Sequence, residues 1–307
     1  MTVLVTGGTG FIGRRLCAHL ADAGRTVRVL TRDPARAAGR SLAHDAELRA
    51  TPRAGDAAGW RDAVAGCDAI VNLAGESVAA GRWTDARKRA IVASRVETTR
   101  ALVAGCRALA QPPPVLVSAS AIGYYGPHGD EEISEPSPPG HDFLSRVCVD
   151  WEAEAVAAEG LGMRVARMRI GVVLGRGGGA LARMVTPFKL YAGGPVGSGR
   201  QWVSWIHLDD VVGLLAFALA RDDVRGPMNA TAPDPRTMRD LASAIGAALG
   251  RPSWAPVPAF ALRLALGEMA EMLLQGQRVV PRAALGAGYA FLYPKLEDAL
   301  REALAGA

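Results

Sequence analysis

The segment VLVTGGTGFIG (residues 3–13) constrains the fold more than any other part of this chain. Gly7, Gly10 and Gly13 stand three residues apart where an apolar run should hand over to a helix. Such a turn needs glycine for a tight reversal, for close backbone approach to a pyrophosphate, and for helix–strand packing. The free N–H groups at the helix start then face the anion. Thr9, Phe11, Ile12 and Arg14 share this loop and the helix behind it.

Beyond the loop the chain alternates as a βαβ fold must. TVRVLTR (26–32), DAIVNLAG (68–75), PPVLVSAS (113–120) and MRVARMRIGVVLG (163–175) read as strands. RALVAGCRAL (100–109) and RVCVDWEAEAVAAEG (146–160) read as helices between them. Strands and helices in alternation predict an α/β fold, a Rossmann-type doubly wound parallel sheet. Gly- and Pro-rich texture from Gly175 onward predicts a smaller C-terminal substrate lobe. We therefore expect an NADP-binding domain over 1–174, completed by 205–222, and the smaller lobe over 175–204 and 223–307. FALRLALGEMAEMLLQGQRVVP (260–281) is expected to be a helix broken at Gly267, packed in that lobe's core.

Composition narrows the partners. The net charge is +5, but the 35 basic residues include only three lysines and form no basic run, so no nucleic acid is expected. No stretch has the roughly 20 uninterrupted apolar residues of a membrane span. The start, MTVLVTGG, has no basic and apolar leader pattern. Four cysteines without metal-binding spacing fit a reducing, cytoplasmic setting. The expected partner is a small-molecule substrate, and a homodimer is left open.

The second strand discriminates between cofactors. It ends in Arg32 where an NAD site would place a carboxylate. A guanidinium forks onto a phosphate, so with Arg14 nearby the expected cofactor is NADP(H). Asp33, which precedes Pro34, reads as a helix cap.

Together TGGTGFIG, NLAG (72–75), SASAIGYYG (118–126) and WIHLDD (205–210) resemble the extended short-chain dehydrogenase/reductases. More narrowly, the chain resembles their atypical, sugar-epimerase-like subfamily, which carries a C-terminal domain of undefined role. The resemblance implies roles by position. Asp56 would stand near the adenine, and Asn72, Leu73, Ala74 and Gly75 would pass under the adenine ribose. Ser118 and Ala119 would flank the nicotinamide ribose, with Gly171 and Val172 beside the nicotinamide. Ser120 matches the catalytic serine, with Tyr124 and Tyr125 as candidate acids and Asp209 as a structural cap.

The chain departs from that pattern at two places. Members with the full apparatus carry Tyr-x-x-x-Lys on the helix after the serine strand, and none exists here. HDFLSRVCVDWEAEA (141–155) offers Phe143 or Leu144, then Val147 or Cys148. GSGRQWVSWIH (197–207) has Val203 where sugar-nucleotide enzymes place a diphosphate-gripping arginine, with Trp202 and Trp205 around it. A small, partly apolar carbonyl or alcohol is expected as substrate of an NADP(H)-dependent oxidoreductase. The alternatives are a cofactor-retaining epimerase or isomerase, and a non-catalytic NADPH-binding sensor or scaffold.

Overall fold

Seven short apolar runs become parallel strands of one sheet in the structure, a computed structural model that describes residues 1–38 and 45–305. They are β1 (Thr2–Thr6), β2 (Thr26–Thr31), β3 (Glu47–Ala50), β4 (Ala69–Asn72), β5 (Val115–Ala121), β6 (Arg164–Ile170) and β7 (Gly226–Ala230), in the order β7-β6-β5-β4-β1-β2-β3. All six pairings are parallel. Central strands of a parallel sheet are covered on both faces, which is why β1 reads as an unbroken apolar run. Val3 and Val5 pack with Leu16, Leu20, Val211 and Leu215 on one side. Leu4 packs with Trp60, Leu102 and Leu116 on the other. The Rossmann-type doubly wound fold is as the sequence predicts.

Chain order reverses between β1 and β4. The crevice at that switch point, outside the carboxyl ends of the strands, is where such sheets take ligands. The residues expected to bind cofactor lie on that edge because every strand runs the same way.

A separate apolar core unites Leu174, Leu181, Phe188, Trp205, Ile245 and Leu300. It joins the two stretches assigned to the smaller lobe. The boundary is less clean than 205–222 and 223–307 implied. Gly226–Ala230 is the sheet's edge strand, paired with β6, and Ala284 packs in the sheet's own core. The Gly267 break is present at φ +59, but the helix before it, Ala259–Leu266, buries no residue. Phe260 and Leu264 are exposed, so this helix is a surface element and not core packing.

Candidate functional site

The glycine loop has the steric form its spacing requires. Gly7 adopts φ +67, and a Cβ there would sit 2.5 Å from the Leu73 carbonyl oxygen. A Cβ on Gly13 would sit 2.2 Å from the Gly7 oxygen. The helix Phe11–Asp22 then begins at Gly10 with no side chain capping it, so its first N–H groups face the crevice with nothing competing for them. Phe11 turns away from the loop into a second glycine-rich segment. Cβ atoms on Gly178 and Gly179 would both lie 2.7 Å from its ring. Gly178 and Gly179 are thus glycines because they lie against the ring that follows the first loop.

Beside the loop, Arg32 directly follows β2 with a largely exposed side chain, its guanidinium 3.4 Å from Glu76. Arg87 holds the other oxygen of Glu76 at 2.5 Å. Arg14 forms no ion pair among the described residues. Asp33 accepts from Arg36 N at 2.9 Å, which makes it the helix cap expected. Asp56 caps the Ala57–Val64 helix through Gly59 N.

Asn72 is different. It is fully buried, accepts from the Thr6 hydroxyl at 2.6 Å, and donates to Thr99 and Ser118 at 2.8 and 3.3 Å. With all its bonds internal, its amide pins β1, β4 and β5 together, and ligand contact at this strand end falls to backbone. Thr6 also accepts from Ala74 N, which orients the Leu73–Gly75 exit over the glycine loop. Ser118 is as buried as Asn72, and Ala119 packs against Val96 and Trp151. Gly171 takes its place for space, since a Cβ would lie 2.5 Å from the Ser204 oxygen, and Val172 N donates to that same oxygen.

The hydroxyl cluster divides three ways. Ser120 is buried and donates to Glu152 Oε1 at 2.7 Å. Arg169, its cross-strand neighbour in β6, donates to both Glu152 oxygens at 2.8 and 2.9 Å. Tyr125 is fully buried, donates to Asn229 Oδ1 at 2.6 Å and accepts from Arg169 at 3.0 Å. Burial pushes its pKa above the ordinary range, against the pull of Arg169. A hydroxyl spent on both sides and closed off from solvent has no route to a substrate, so Tyr125 is corrected from candidate acid to core residue. Burial opposes the Arg169 charge, and Glu152 more than offsets it, raising its pKa further. Tyr124 remains partly accessible, with Arg169 3.5 Å from its ring centre and Tyr125 edge-on at 5.4 Å. Its hydroxyl makes no hydrogen bond among the described residues.

The helix that lacks Tyr-x-x-x-Lys runs Phe143–Val156, capped by Asp142. A Cβ on Gly123 would meet Leu144 at 3.5 Å and Cys148 Sγ at 3.9 Å. Leu144 and Cys148, four residues apart, therefore form the face toward the serine strand, and both are apolar in character. Burial pushes the Cys148 thiol up to about 12. A cavity of about 530 Å³ lies between Phe143 and the Asp85–Val92 helix, but no expected cofactor residue lines it.

Two further expectations change. His207, not Asp209, caps the Leu208–Ala220 helix: its Nδ1 accepts from Asp209 N, which leaves Nε2 to donate to Glu302 at 2.9 Å. Asp209 pairs instead with Arg15 at 2.6 Å. Trp205 is core, donating to the Asp234 carbonyl oxygen, so of the two flanking tryptophans only Trp202 stays near the surface. The Glu152–Arg169 pair escaped sequence reading. Three arginines, Arg164, Arg167 and Arg169, in a strand expected to be buried were its only signal.

Known proteins share this architecture. A family profile described as NAD dependent epimerase/dehydratase family matches residues 3–230, and one described as a domain of unknown function (DUF1731) matches residues 257–303. The chain is 45% identical over 304 residues to "Epimerase family protein SDR39U1 homolog, chloroplastic" of Arabidopsis thaliana, covering 98% of this chain and 86% of that protein. It is 37% identical to "Epimerase family protein YfhF" of Bacillus subtilis, covering 99% and 98%. The crystal structure of human epimerase family protein SDR39U1 (isoform 2) with NADPH superposes with a TM-score of 0.88 at 38% identity, covering all of both chains.

Proposed function

The chain belongs to the NAD-dependent epimerase/dehydratase family, and from that premise we propose that it is an NADPH-binding oxidoreductase acting on a small, partly apolar carbonyl. The observation that carries the reading is the uncapped helix start behind Gly7, Gly10 and Gly13, with the largely exposed Arg32 just after β2 and Asp33 engaged as a helix cap. The human relative's structure with NADPH supports the choice of cofactor. Backbone N–H groups of the loop would hold the pyrophosphate, and Arg32 would fork onto the 2′-phosphate. When bound, the cofactor supplies the hydride.

The chain's own groups then handle the oxygen. Tyr124 is the one hydroxyl of SASAIGYYG with no internal partner among the described residues, and it donates the proton to the carbonyl oxygen as the carbon is reduced, regaining it from solvent. Ser120, its proton committed to Glu152, has none left for the carbonyl oxygen and can accept only from the hydroxyl of the alcohol product. Val203 in place of an arginine makes the site less suited to a sugar diphosphate. Four free, buried cysteines fit a reducing compartment such as the cytoplasm.

The test is NADPH oxidation over a panel of small aldehydes and ketones, with Tyr124→Phe alongside. Turnover that falls about 10²–10⁴-fold in the variant supports the assignment. Turnover unaffected by Tyr124→Phe contradicts it. The commitment of Ser120 and Tyr125 to internal bonds favours a second reading, an NADPH-binding protein without catalysis. Binding with no oxidation of NADPH by any carbonyl selects that reading.

A further inference from the structure

Arg95 is a cation with no carboxylate partner among the described residues. It lies where the helical segment Asp85–Arg107 widens into π-type hydrogen bonding over Ala93–Glu97. Single π-type turns inside helices are rare and concentrate at functional sites. From this turn the guanidinium reaches the exit of β4. A Cβ on Gly75 would lie 3.0 Å from Arg95 Cζ, so glycine at 75 makes room for it. On its other side lies the Trp151 ring, 5.3 Å away, on the helix that lacks the tyrosine and lysine. The charge also lowers the pKa of the Cys148 thiol on that helix, against a larger upward push from burial.

Its nitrogens have only long contacts, 3.3 Å to the Ile91 oxygen and 3.4 Å to Ser94 Oγ, both from its own helix. No carboxylate lies within ion-pair distance among the described residues. Glu76, the nearest acid on the β4 exit, is taken by Arg32 and Arg87. Burial lowers the Arg95 pKa, yet an arginine keeps its proton in proteins. The contrast with Arg169 is sharp, since that guanidinium is closed on both oxygens of Glu152. A partly buried guanidinium with no carboxylate partner among the described residues is costly to maintain, which points to a ligand that completes it.

We propose that Arg95 stands in for the missing lysine. The Trp151 ring beside it packs against Ala119, the residue expected to flank the nicotinamide ribose, so from the neighbouring helix Arg95 supplies the positive charge at that end and donates its N–H groups to the ribose hydroxyls. A planar fork with several donors suits a pair of adjacent hydroxyls better than a single ammonium does. The inference rests on the NADPH-binding reading above, and its test separates the two.

The experiment titrates the full chain, Arg95→Met and Arg95→Lys with NADPH and, separately, with adenosine 2′,5′-bisphosphate, which carries the phosphate end but no nicotinamide ribose. We expect Arg95→Met to weaken NADPH by about tenfold or more, the loss of one charge-assisted contact. Arg95→Lys should recover most of that, and all three proteins should bind the bisphosphate within about twofold of one another. NADPH affinity unchanged in Arg95→Met overturns the proposal and leaves the cofactor reading standing. Equal losses for both ligands give Arg95 a purely structural role and also overturn it. An unsubstituted chain that binds neither ligand overturns the cofactor reading itself.

Discussion

The Ser120 hydroxyl donates to the Glu152 carboxylate across 2.7 Å, and both groups are almost fully buried. The serine that resembles a catalytic residue is thereby one corner of an ion-pair network with Arg169 and Arg167. Removing one member of a buried pair leaves an uncompensated charge, which costs about 3–5 kcal/mol. Glu152→Ala should therefore lose about that much stability in urea-induced unfolding. A loss below about 1 kcal/mol would show that the network contributes little.

The two adjacent tyrosines should separate stability from chemistry. Tyr125→Phe strands the Asn229 oxygen and one Arg169 N–H and should cost about 1–3 kcal/mol, with NADPH affinity unchanged. Tyr124→Phe should leave the unfolding midpoint in place, because its hydroxyl has no internal partner to lose. Thermal melts and cofactor titrations of both variants check this. A reversed pattern would return Tyr125 to the site.

Two glycines of the loop should also behave differently. An alanine at Gly13 brings its Cβ to 2.2 Å from the Gly7 backbone oxygen, so Gly13→Ala should destabilise the fold and weaken NADPH together. At Gly10 the Cβ would lie 3.1 Å from the same oxygen at an ordinary φ of −76, a clash that a few tenths of an ångström relieve. Gly10→Ala should fold normally and lose affinity only through its approach to the pyrophosphate. Paired melting and binding curves read both effects.

The thiols carry a pH signature. Burial pushes Cys17, Cys106 and Cys148 up to about 12, from an ordinary value of 9.0. Between those values the unfolded chain releases thiol protons that the folded chain keeps. The folded state then binds more protons, and stability falls as pH rises from 9 toward 12. At pH 8 the folded thiols should resist iodoacetamide and react only after denaturation. Mass spectrometry after timed alkylation checks this, and rapid labelling of Cys148 in the native protein would contradict it.

Much of this fold was legible because its signals are local. Gly7, Gly10 and Gly13 specify a turn by sterics alone, and the apolar runs of β1, β4 and β5 announce a sheet buried on both faces. Arg32 and Asp33 were legible because a strand end and a cap depend on residues within a few positions. The site's inner wiring was not legible, because it joins residues distant in sequence. Ser120 meets Glu152 across 32 positions and Tyr125 meets Asn229 across 104, so a hydroxyl's freedom depends on contacts that no spacing reveals. The same holds for Arg95. In sequence it is one more arginine on a helix, and only the approach of Gly75 and Trp151 marks it as a cation facing the crevice.

The central claim is that the glycine loop and Arg32 hold a 2′-phosphorylated dinucleotide. Parallel fluorescence titrations of the purified chain with NADPH and NADH test it most directly, with Arg32→Ala as the companion. We predict NADPH binding at least about tenfold tighter than NADH, a preference that Arg32→Ala reduces several-fold, in line with the loss of one charge-assisted phosphate contact. Equal affinity for the two cofactors, or no binding of either, would contradict it.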